Sequence, residues 1–142
     1  MRAALVRHSI DVPALIREVA SAAHGATATF VGTVRDVSEG RAVTGIEYSA
    51  YESMAEREMA AIVAEAADKY ACPAVVVEHR VGYLEIGEAS IAIVAAHERR
   101  GPAIDAMRYA IEELKCRVPI WKQEHYADGT REWVNPTRGH AA

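Results

Sequence analysis

Apolar residues recur every three or four positions in three stretches of the chain, which is the spacing of a helix with one buried face. The first stretch follows Asp11, an N-cap residue, and has Pro13 in its first turn. The second begins with Ser53 and Glu56, which have the spacing of a capping box. The apolar faces predicted for these two helices are Val12, Leu15, Ile16 and Val19, and Met59, Ile62, Val63 and Ala66.

The third helix is predicted from Pro102 to near Lys115. It ends there because Pro119 disfavours helical geometry at Val118. Its predicted apolar face consists of Ile104, Met107, Ile111 and Leu114.

Segments rich in β-branched residues alternate with these helices and predict strands. The predicted strands are ATATFVGTVRD (26–36), GIEYSAY (45–51), AVVVEHRVGYL (74–84), SIAIVAAH (90–97), PIWKQEHYA (119–127) and REWVN (131–135). The polar DVSEGRA between the first two is predicted as a mobile loop, and Asp128-Gly129-Thr130 joins the last two in a hairpin. Since several neighbouring strands are hairpin-linked, we expect an α+β fold with a mostly antiparallel sheet covered by helices.

Length and composition fit one domain covering residues 1–142. The net charge is −4 and the pI is near 5.9, so the surface as a whole repels nucleic-acid backbones and anionic lipid. The two cysteines form no CxxC motif, and no apolar run is long enough for a signal peptide or a membrane span. We therefore expect a reduced, cytoplasmic protein that binds neither nucleic acid nor membrane, with any anion site formed by a local cluster.

The stretch LKCRVPIWKQE sets Lys115 and Lys122 on either side of Pro119. If the chain turns back at the proline, the two ammonium groups come within roughly 5 Å, and their repulsion lowers one pKa by about 2 units. A lysine with a lowered pKa can act as acid, base or nucleophile near neutral pH. The plain alternative for Lys115 is a solvated lysine that stabilises the helix end. Lys122 shares its strand face with Ile120 and Glu124.

Four other basic residues follow strand ends or precede a helix. Arg35 ends the strand FVGTVRD where the chain enters its loop, and His97 ends the strand SIAIVAAH. Arg99 and Arg100 come directly before the third helix, whose free N–H groups favour anions. Each of the four also has a plain explanation as a solvated or edge residue.

Other chemistry has less support. Cys116 could be a thiolate nucleophile, but no histidine lies near it in sequence, so a structural cysteine is the simpler interpretation. The histidines lack metal-ligand spacing, and the glycines form no nucleotide-binding motif. We therefore expect no metal and no bound cofactor.

Four blocks together resemble the large, catalytic subunit of molybdopterin synthase. They are FVGTVRD, IEYSAYESMAEREM, HRVGYLEIGEASIAIVAAH and AIEELKCRVPIWKQE, and they span roughly residues 28–124. The lysine block and the strand that ends in histidine are the most specific of them. The resemblance implies an α/β hammerhead-type fold.

The resemblance also implies a function and partners. The family converts cyclic pyranopterin monophosphate into molybdopterin, with sulfur from the C-terminal Gly-Gly thiocarboxylate of a small ubiquitin-like protein. Two large subunits form a dimer with one small subunit at each end. The family's catalytic lysines match Lys115 and Lys122, and its substrate contacts match Arg35 and His97.

The chain departs from the family pattern after His97. Glu98 stands where the family usually has arginine, so Arg99 or Arg100 takes that role, and we favour Arg100. Two rival functions are a non-catalytic dimeric module that binds a small anion, and an enzyme that uses Cys116 as a persulfide sulfur carrier.

Overall fold

The computed structural model describes residues 1–134. Its elements are β1 (Arg2–Val6), α1 (Val12–Val19), β2 (Ala26–Thr33), β3 (Val37–Ser38), β4 (Arg41–Ala50), α2 (Glu52–Lys69), β5 (Ala74–Arg80), β6 (Gly82–Glu85), β7 (Ala89–His97), α3 (Arg100–Arg117), β8 (Ile120–Tyr126) and β9 (Arg131–Val134). The predicted α+β fold with a mostly antiparallel sheet and covering helices is confirmed. Of the last predicted strand, Asn135 lies outside the described residues.

The first sheet has strand order β1-β5-β7-β2, and helices cover both of its faces. The central strand β7 is apolar at most positions rather than at every second one, as expected of a strand that is covered on both faces. Ile93 faces α2 and α3, whereas its neighbour Val94 faces α1. Both side chains are fully buried.

The second sheet has strand order β3-β4-β8-β9, with β6 also paired to β4. The chain passes between the two sheets at Gly82, whose φ of +102° is a conformation that residues with a side chain rarely adopt. In the second sheet Tyr48 of β4 pairs directly with Lys122 of β8. The second sheet thus brings residues from distant parts of the chain to one side of the helix α3.

The strands differ from the sequence predictions in three places. The segment 74–84 forms two strands in different sheets, since the turn at Gly82 divides it. The predicted loop 36–42 is a tight β3–β4 hairpin, whose central residues Glu39 and Gly40 both have positive φ. Strand β1 was not predicted, because its pairing with β5 is parallel and distant in sequence.

The helix predictions hold for position but not for every detail. Asp11 caps α1 as predicted, accepting from the Ala14 N–H at 3.1 Å. The predicted capping box of α2 is wrong, since the helix follows directly from β4 and Tyr51 is the N-cap without a side-chain bond. The buried stripe of α3 is mostly alanine, which allows close packing on the sheet, and the predicted face residue Ile104 is exposed. In α1 the predicted face residue Ile16 is likewise exposed. The buried stripe of α3 consists of Ala103, Ala106, Ala110 and Leu114.

Within residues 1–134, none of the helices has the length and apolar character needed to cross a membrane.

Candidate active site

The turn at Pro119 places the end of α3 beside β8. The N–H of Ile120 donates to the carbonyl oxygen of Val118 at 2.9 Å, which reverses the chain. Lys115, in the last turn of α3, and Lys122, in β8, therefore line one cavity. The structure thus brings the two predicted lysines together.

This lysine cavity has an open outer part and a narrow inner part. The outer part, of about 390 Å³, lies between β2, the β3–β4 hairpin and β8, and Arg35 contributes to its wall. The inner part, of about 90 Å³, extends under α3 and is lined by His79 of β5. Both lysines, together with Tyr48 and Ser90, border both parts, so the two parts meet at the lysines.

Lys122 is the electrostatically perturbed member of the pair. Its side chain is only 29% exposed, and burial lowers the pKa of its ammonium below the usual value. The carboxylate of Glu124, with Oε2 3.9 Å from Nζ, opposes this shift. The positive charges of Lys115 and Arg35 add to the lowering. The predicted direction is therefore confirmed for Lys122, but burial contributes more than the second lysine.

The carboxylate of Glu124 is itself buried and held in place. Its Oε1 accepts a hydrogen bond of 2.8 Å from the Tyr126 hydroxyl. The sequence placed Glu124 on the same strand face as Lys122, and the structure confirms this placement. A fixed carboxylate beside a buried ammonium keeps the lysine oriented while leaving its proton exchangeable.

The inner part of the cavity contains a histidine that the sequence did not single out. The Nδ1–H of His79 donates to the Arg80 carbonyl oxygen at 2.9 Å, and the ring packs edge-on against Tyr48 with 5.2 Å between centroids. Burial and, to a smaller extent, the charge of Lys115 together lower the pKa of His79 to about 4 against the opposing hydrogen bond to Arg80, so the ring is neutral at pH 7. Burial also raises the pKa of Tyr48.

His79, Tyr48 and Ser90 were missed because nothing local marks them. Each belongs to a strand whose sequence reads as ordinary sheet, and they meet only through pairings between distant segments. The one available signal was a histidine within the otherwise apolar strand AVVVEHR.

Arg35 lies at the mouth of the lysine cavity on a fixed piece of backbone. The N–H of Val34 donates to the Glu88 carbonyl oxygen at 3.0 Å, and the Asp36 carbonyl oxygen accepts from the Val43 N–H at 2.9 Å. Arg35 is exposed, so its guanidinium is accessible to an anion that enters the cavity.

His97, Arg99 and Arg100 lie elsewhere in the same chain. They surround the N-terminus of α3, where Arg99 and Arg100 border an open depression with Gly25. His97 is at the far end of β7 from Ser90, about 24 Å away at roughly 3.4 Å per strand residue. Within one chain the structure therefore separates these three basic residues from the lysine cavity.

Acid should destabilise the fold through His79. Its pKa is about 4 in the folded chain against 6.5 for the unfolded reference, so the unfolded chain binds the proton first as pH falls. The stability is complete above pH 6.5 and is lost as the pH falls from 6.5 to 4, by on the order of 3 kcal/mol. Urea unfolding of the wild type at pH 7 and at pH 4.5 measures this loss.

His79→Gln removes the titrating ring. Between pH 7 and pH 4.5 the free energy of unfolding of this variant should therefore fall much less than that of the wild type. His24→Gln is the matched control, because it also replaces a histidine whose Nδ1 bonds a main-chain carbonyl oxygen, here that of Val19 at 3.0 Å. Equal pH dependence in the wild type and His79→Gln would show that His79 is not the group responsible.

Fold and cavity define the class of protein. It is an α+β protein with a cationic cavity suited to a small anion and to acid–base chemistry. Within residues 1–134, no cluster of three or more histidine, cysteine or carboxylate side chains has the arrangement of a metal site.

Comparisons with known proteins identify the family. Residues 5–117 match the family model described as MoaE protein. The molybdopterin synthase catalytic subunit of Oryza sativa subsp. indica is 44% identical over 133 residues, covering 90% of this chain and 69% of the rice protein. The structure titled molybdopterin synthase from Staphylococcus aureus superposes with a TM-score of 0.85 and 32% identity, covering 93% of this chain and 96% of that one.

A third relative is in a complex of subunits 1 and 2 of molybdopterin-converting factor from Helicobacter pylori 26695. Its TM-score is 0.74 at 24% identity, with 93% of this chain and 89% of that chain covered, and it shows a shared fold. The chain therefore belongs to the MoaE family of molybdopterin synthase catalytic subunits, which are sulfurtransferases of molybdenum cofactor biosynthesis.

Proposed function

We propose that this chain transfers sulfur from the C-terminal thiocarboxylate of a small ubiquitin-like carrier to cyclic pyranopterin monophosphate, forming the dithiolene of molybdopterin. The lysine cavity is the proposed site of transfer. Lys115 and Lys122 are the proposed catalytic residues, with Arg35, His97, Arg99 and Arg100 binding the substrate. Family membership favours this enzyme over a non-catalytic anion-binding module.

One observation carries the proposal. The chain has three lysines, Lys69, Lys115 and Lys122, and two of them line the same cavity although they come from different elements. An arginine stands at the mouth of that cavity. This clustering of cations on a chain with net charge −4 supports binding of anionic substrates there.

The transfer requires a nucleophile, an electrophile and a proton carrier. The thiocarboxylate sulfur attacks a side-chain carbon of the pterin. A C–S bond forms while a C–O bond at that carbon breaks, its oxygen leaving as water or on the opened cyclic phosphate, and the carrier stays attached as a thioester. Water then cleaves the thioester, leaving the sulfur on the product and a carboxylate on the carrier. Lys122 lines the cavity and is the proposed proton carrier for this step, since burial lowers the pKa of its ammonium, while Lys115 holds the carrier's terminal anion. A second carrier supplies the second sulfur.

The shape of the cavity supports a Gly-Gly tail as the sulfur donor. Glycines have no side chains, so an extended diglycine can enter a cavity whose inner part is only about 90 Å³. The Helicobacter pylori relative in a two-subunit complex has the same fold, which supports a carrier subunit as partner.

We further propose a homodimer in which both chains complete each pocket. The separation of His97 and Arg100 from the lysine cavity within one chain supports this arrangement, since a second chain can supply them. A reducing cytoplasmic location is also proposed, in keeping with the unpaired thiols of Cys72 and Cys116.

Reconstitution tests the proposed function. The purified chain is mixed with cyclic pyranopterin monophosphate and either thiocarboxylated or plain carboxylated carrier, and the dithiolene product is measured. We expect product with the thiocarboxylate alone. No product above the level without the chain would reject the assignment.

Arg35→Ala should weaken binding of the pterin substrate about tenfold, because a charge-assisted hydrogen bond to phosphate is lost. His97→Ala and Arg100→Ala should weaken it in the same way. Titration of each variant measures the affinity, with Arg108→Ala, an exposed arginine of α3, as control. If the three variants bind as tightly as the control, the substrate lies elsewhere.

A further inference from the structure

The buried carboxylate of Glu124 lies between two partners on its own strand. Lys122, Glu124 and Tyr126 alternate along β8, so their side chains lie on one face of the second sheet. Oε1 of Glu124 accepts a hydrogen bond of 2.8 Å from the Tyr126 hydroxyl, whereas Oε2 lies 3.9 Å from Nζ of Lys122. The first distance is that of a normal hydrogen bond, and the second is too long for one. The carboxylate is therefore bonded to the tyrosine and only adjacent to the lysine.

Burial gives the bond to Tyr126 its importance. Glu124 is 5% exposed and Tyr126 is 6% exposed. Within residues 1–134, the Tyr126 hydroxyl is the only donor that bonds the Glu124 side chain. A buried carboxylate that loses its donor is strongly destabilised unless it pairs with a cation. For Glu124 the cation within reach is Lys122.

The Tyr126 ring is itself held in place by Arg41. The guanidinium carbon of Arg41 lies 3.5 Å from the centre of the ring. The same guanidinium bonds Oε2 of Glu132 at 3.1 Å and the Thr130 hydroxyl at 2.9 Å, which ties the start of β4 to the β8–β9 hairpin. Oε2 of Glu132 is also 3.4 Å from the Tyr126 hydroxyl, but the bond to Glu124 is much shorter. The hydroxyl is therefore directed at Glu124.

We propose that Tyr126 is a positioning residue that holds the Glu124 carboxylate away from Lys122, so that the lysine ammonium stays free of a direct hydrogen bond and accessible to substrate. A carboxylate in direct contact would favour the protonated form of the lysine and neutralise its charge. At 3.9 Å, Glu124 orients the ammonium without occupying it. The other titratable groups that line the cavity with Lys122 come from other segments, namely Arg35, Tyr48 of β4, His79 of β5 and Lys115 of α3.

Tyr126→Phe tests this restraint, because it removes the hydroxyl and keeps the ring beside Arg41. Trace acetic anhydride is applied across a pH series together with a lysine-containing reference peptide, and mass spectrometry follows the acetylation of Lys122. In the variant Glu124 closes on Lys122 and favours its protonated form. Acetylation of Lys122 should therefore fall about threefold or more at each pH where that lysine is mostly protonated. An unchanged Lys122 profile in folded Tyr126→Phe would overturn the proposal.

Further variants show whether the effect passes through Glu124. Glu124→Gln has no negative charge to close on the lysine, so adding Tyr126→Phe to it should leave the acetylation of Lys122 unchanged. An equal fall in both backgrounds would mean that Tyr126 acts on the lysine by another route and would also overturn the proposal. Tyr109→Phe is the matched control, since it removes a tyrosine hydroxyl that donates to a different carboxylate, that of Glu65, at 2.6 Å. It should leave Lys122 unchanged.

The inference rests on the proposed function only for why a free Lys122 ammonium matters. If Lys122 accepts a proton during sulfur transfer, Tyr126→Phe should lower the single-turnover rate about threefold at neutral pH, and the rate should recover as the pH rises. General damage to the fold does not give recovery at high pH. Lower acetylation of Lys122 with an unchanged pH dependence of the rate would support the restraint and reject Lys122 as proton carrier, so the two claims fail separately.

A measurement on the wild type covers the case in which Tyr126→Phe does not fold. Proton NMR should show the Tyr126 hydroxyl proton protected from exchange with water and close in space to the Glu124 side chain. A hydroxyl proton that lies next to Glu132 instead, or that exchanges freely with water, would overturn the proposal.

Discussion

Lys122→Ala should lower the rate of sulfur transfer about a thousandfold, the range expected when a positioned acid–base group is lost. Lys122 is half-buried, and that burial lowers the pKa of its ammonium, which makes its proton easier to release than that of a solvated lysine. Lys115→Ala should also abolish most activity, because the cavity loses its second cation. Single-turnover product formation measures both effects.

Controls for the lysine variants separate catalysis from folding. Lys122→Ala leaves the buried carboxylate of Glu124 without its cation, which can disturb the fold. Lys122→Gln keeps a hydrogen-bond donor beside Glu124 but cannot titrate. It should be as inactive as Lys122→Ala if the titrating group is what matters. Lys69→Ala, on α2 away from the cavity, should retain wild-type activity. If Lys115→Ala or Lys122→Ala forms product at near the wild-type rate with a native circular dichroism spectrum, the catalytic assignment is wrong.

Mixing Lys122→Ala with Arg100→Ala should raise activity if the pocket is shared between chains. The assay is run at a pterin concentration far below saturation, where the binding of Arg100→Ala, about tenfold weaker, lowers its rate in proportion. Lys122→Ala lacks the proposed acid–base group. Arg100→Ala lacks a proposed anion contact at the N-terminus of α3, about 22 Å along the helix from Lys115 at roughly 1.5 Å per residue. In an equal mixture half of the dimers are mixed, and one of their two pockets is intact. The mixture should therefore recover about one quarter of the wild-type activity.

Subunit exchange has to be shown independently, with differently tagged chains. If the chains exchange and the mixture is no more active than Arg100→Ala alone at the same total concentration, Lys122 and Arg100 do not complete one pocket across the interface. A monomer by light scattering would reject the dimer itself.

The sequence predicted the elements whose signals are local. The cap at Asp11 and the apolar stripe of α2 located two helices, and Pro119 located the turn that joins the lysines. These features depend on residues within one or two turns of each other. A local signal also gave a wrong prediction. Ser53 and Glu56 have the spacing of a capping box, but Ser53 lies inside α2, which starts one residue earlier.

The rest depended on contacts between distant segments. Strand β1 is fixed by its parallel pairing with β5, and the division of segment 74–84 follows from the positive φ of Gly82. His79 enters the cavity through the first sheet, while Tyr48 enters through its pairing with Lys122 in the second. These contacts join residues that are far apart in sequence, and no local sequence pattern predicts them. The inner part of the cavity could therefore be found only in the structure.

The central claim is that both product sulfurs come directly from the carrier's thiocarboxylate at the lysine cavity. It is tested by loading the carrier with isotopically heavy sulfur and weighing the product of a single-turnover reaction with the chain. The account predicts two heavy sulfur atoms in the dithiolene, and the same result after alkylation of the exposed Cys116. Product with unlabelled sulfur, or heavy sulfur held as a persulfide on Cys116 and lost on alkylation, would contradict it.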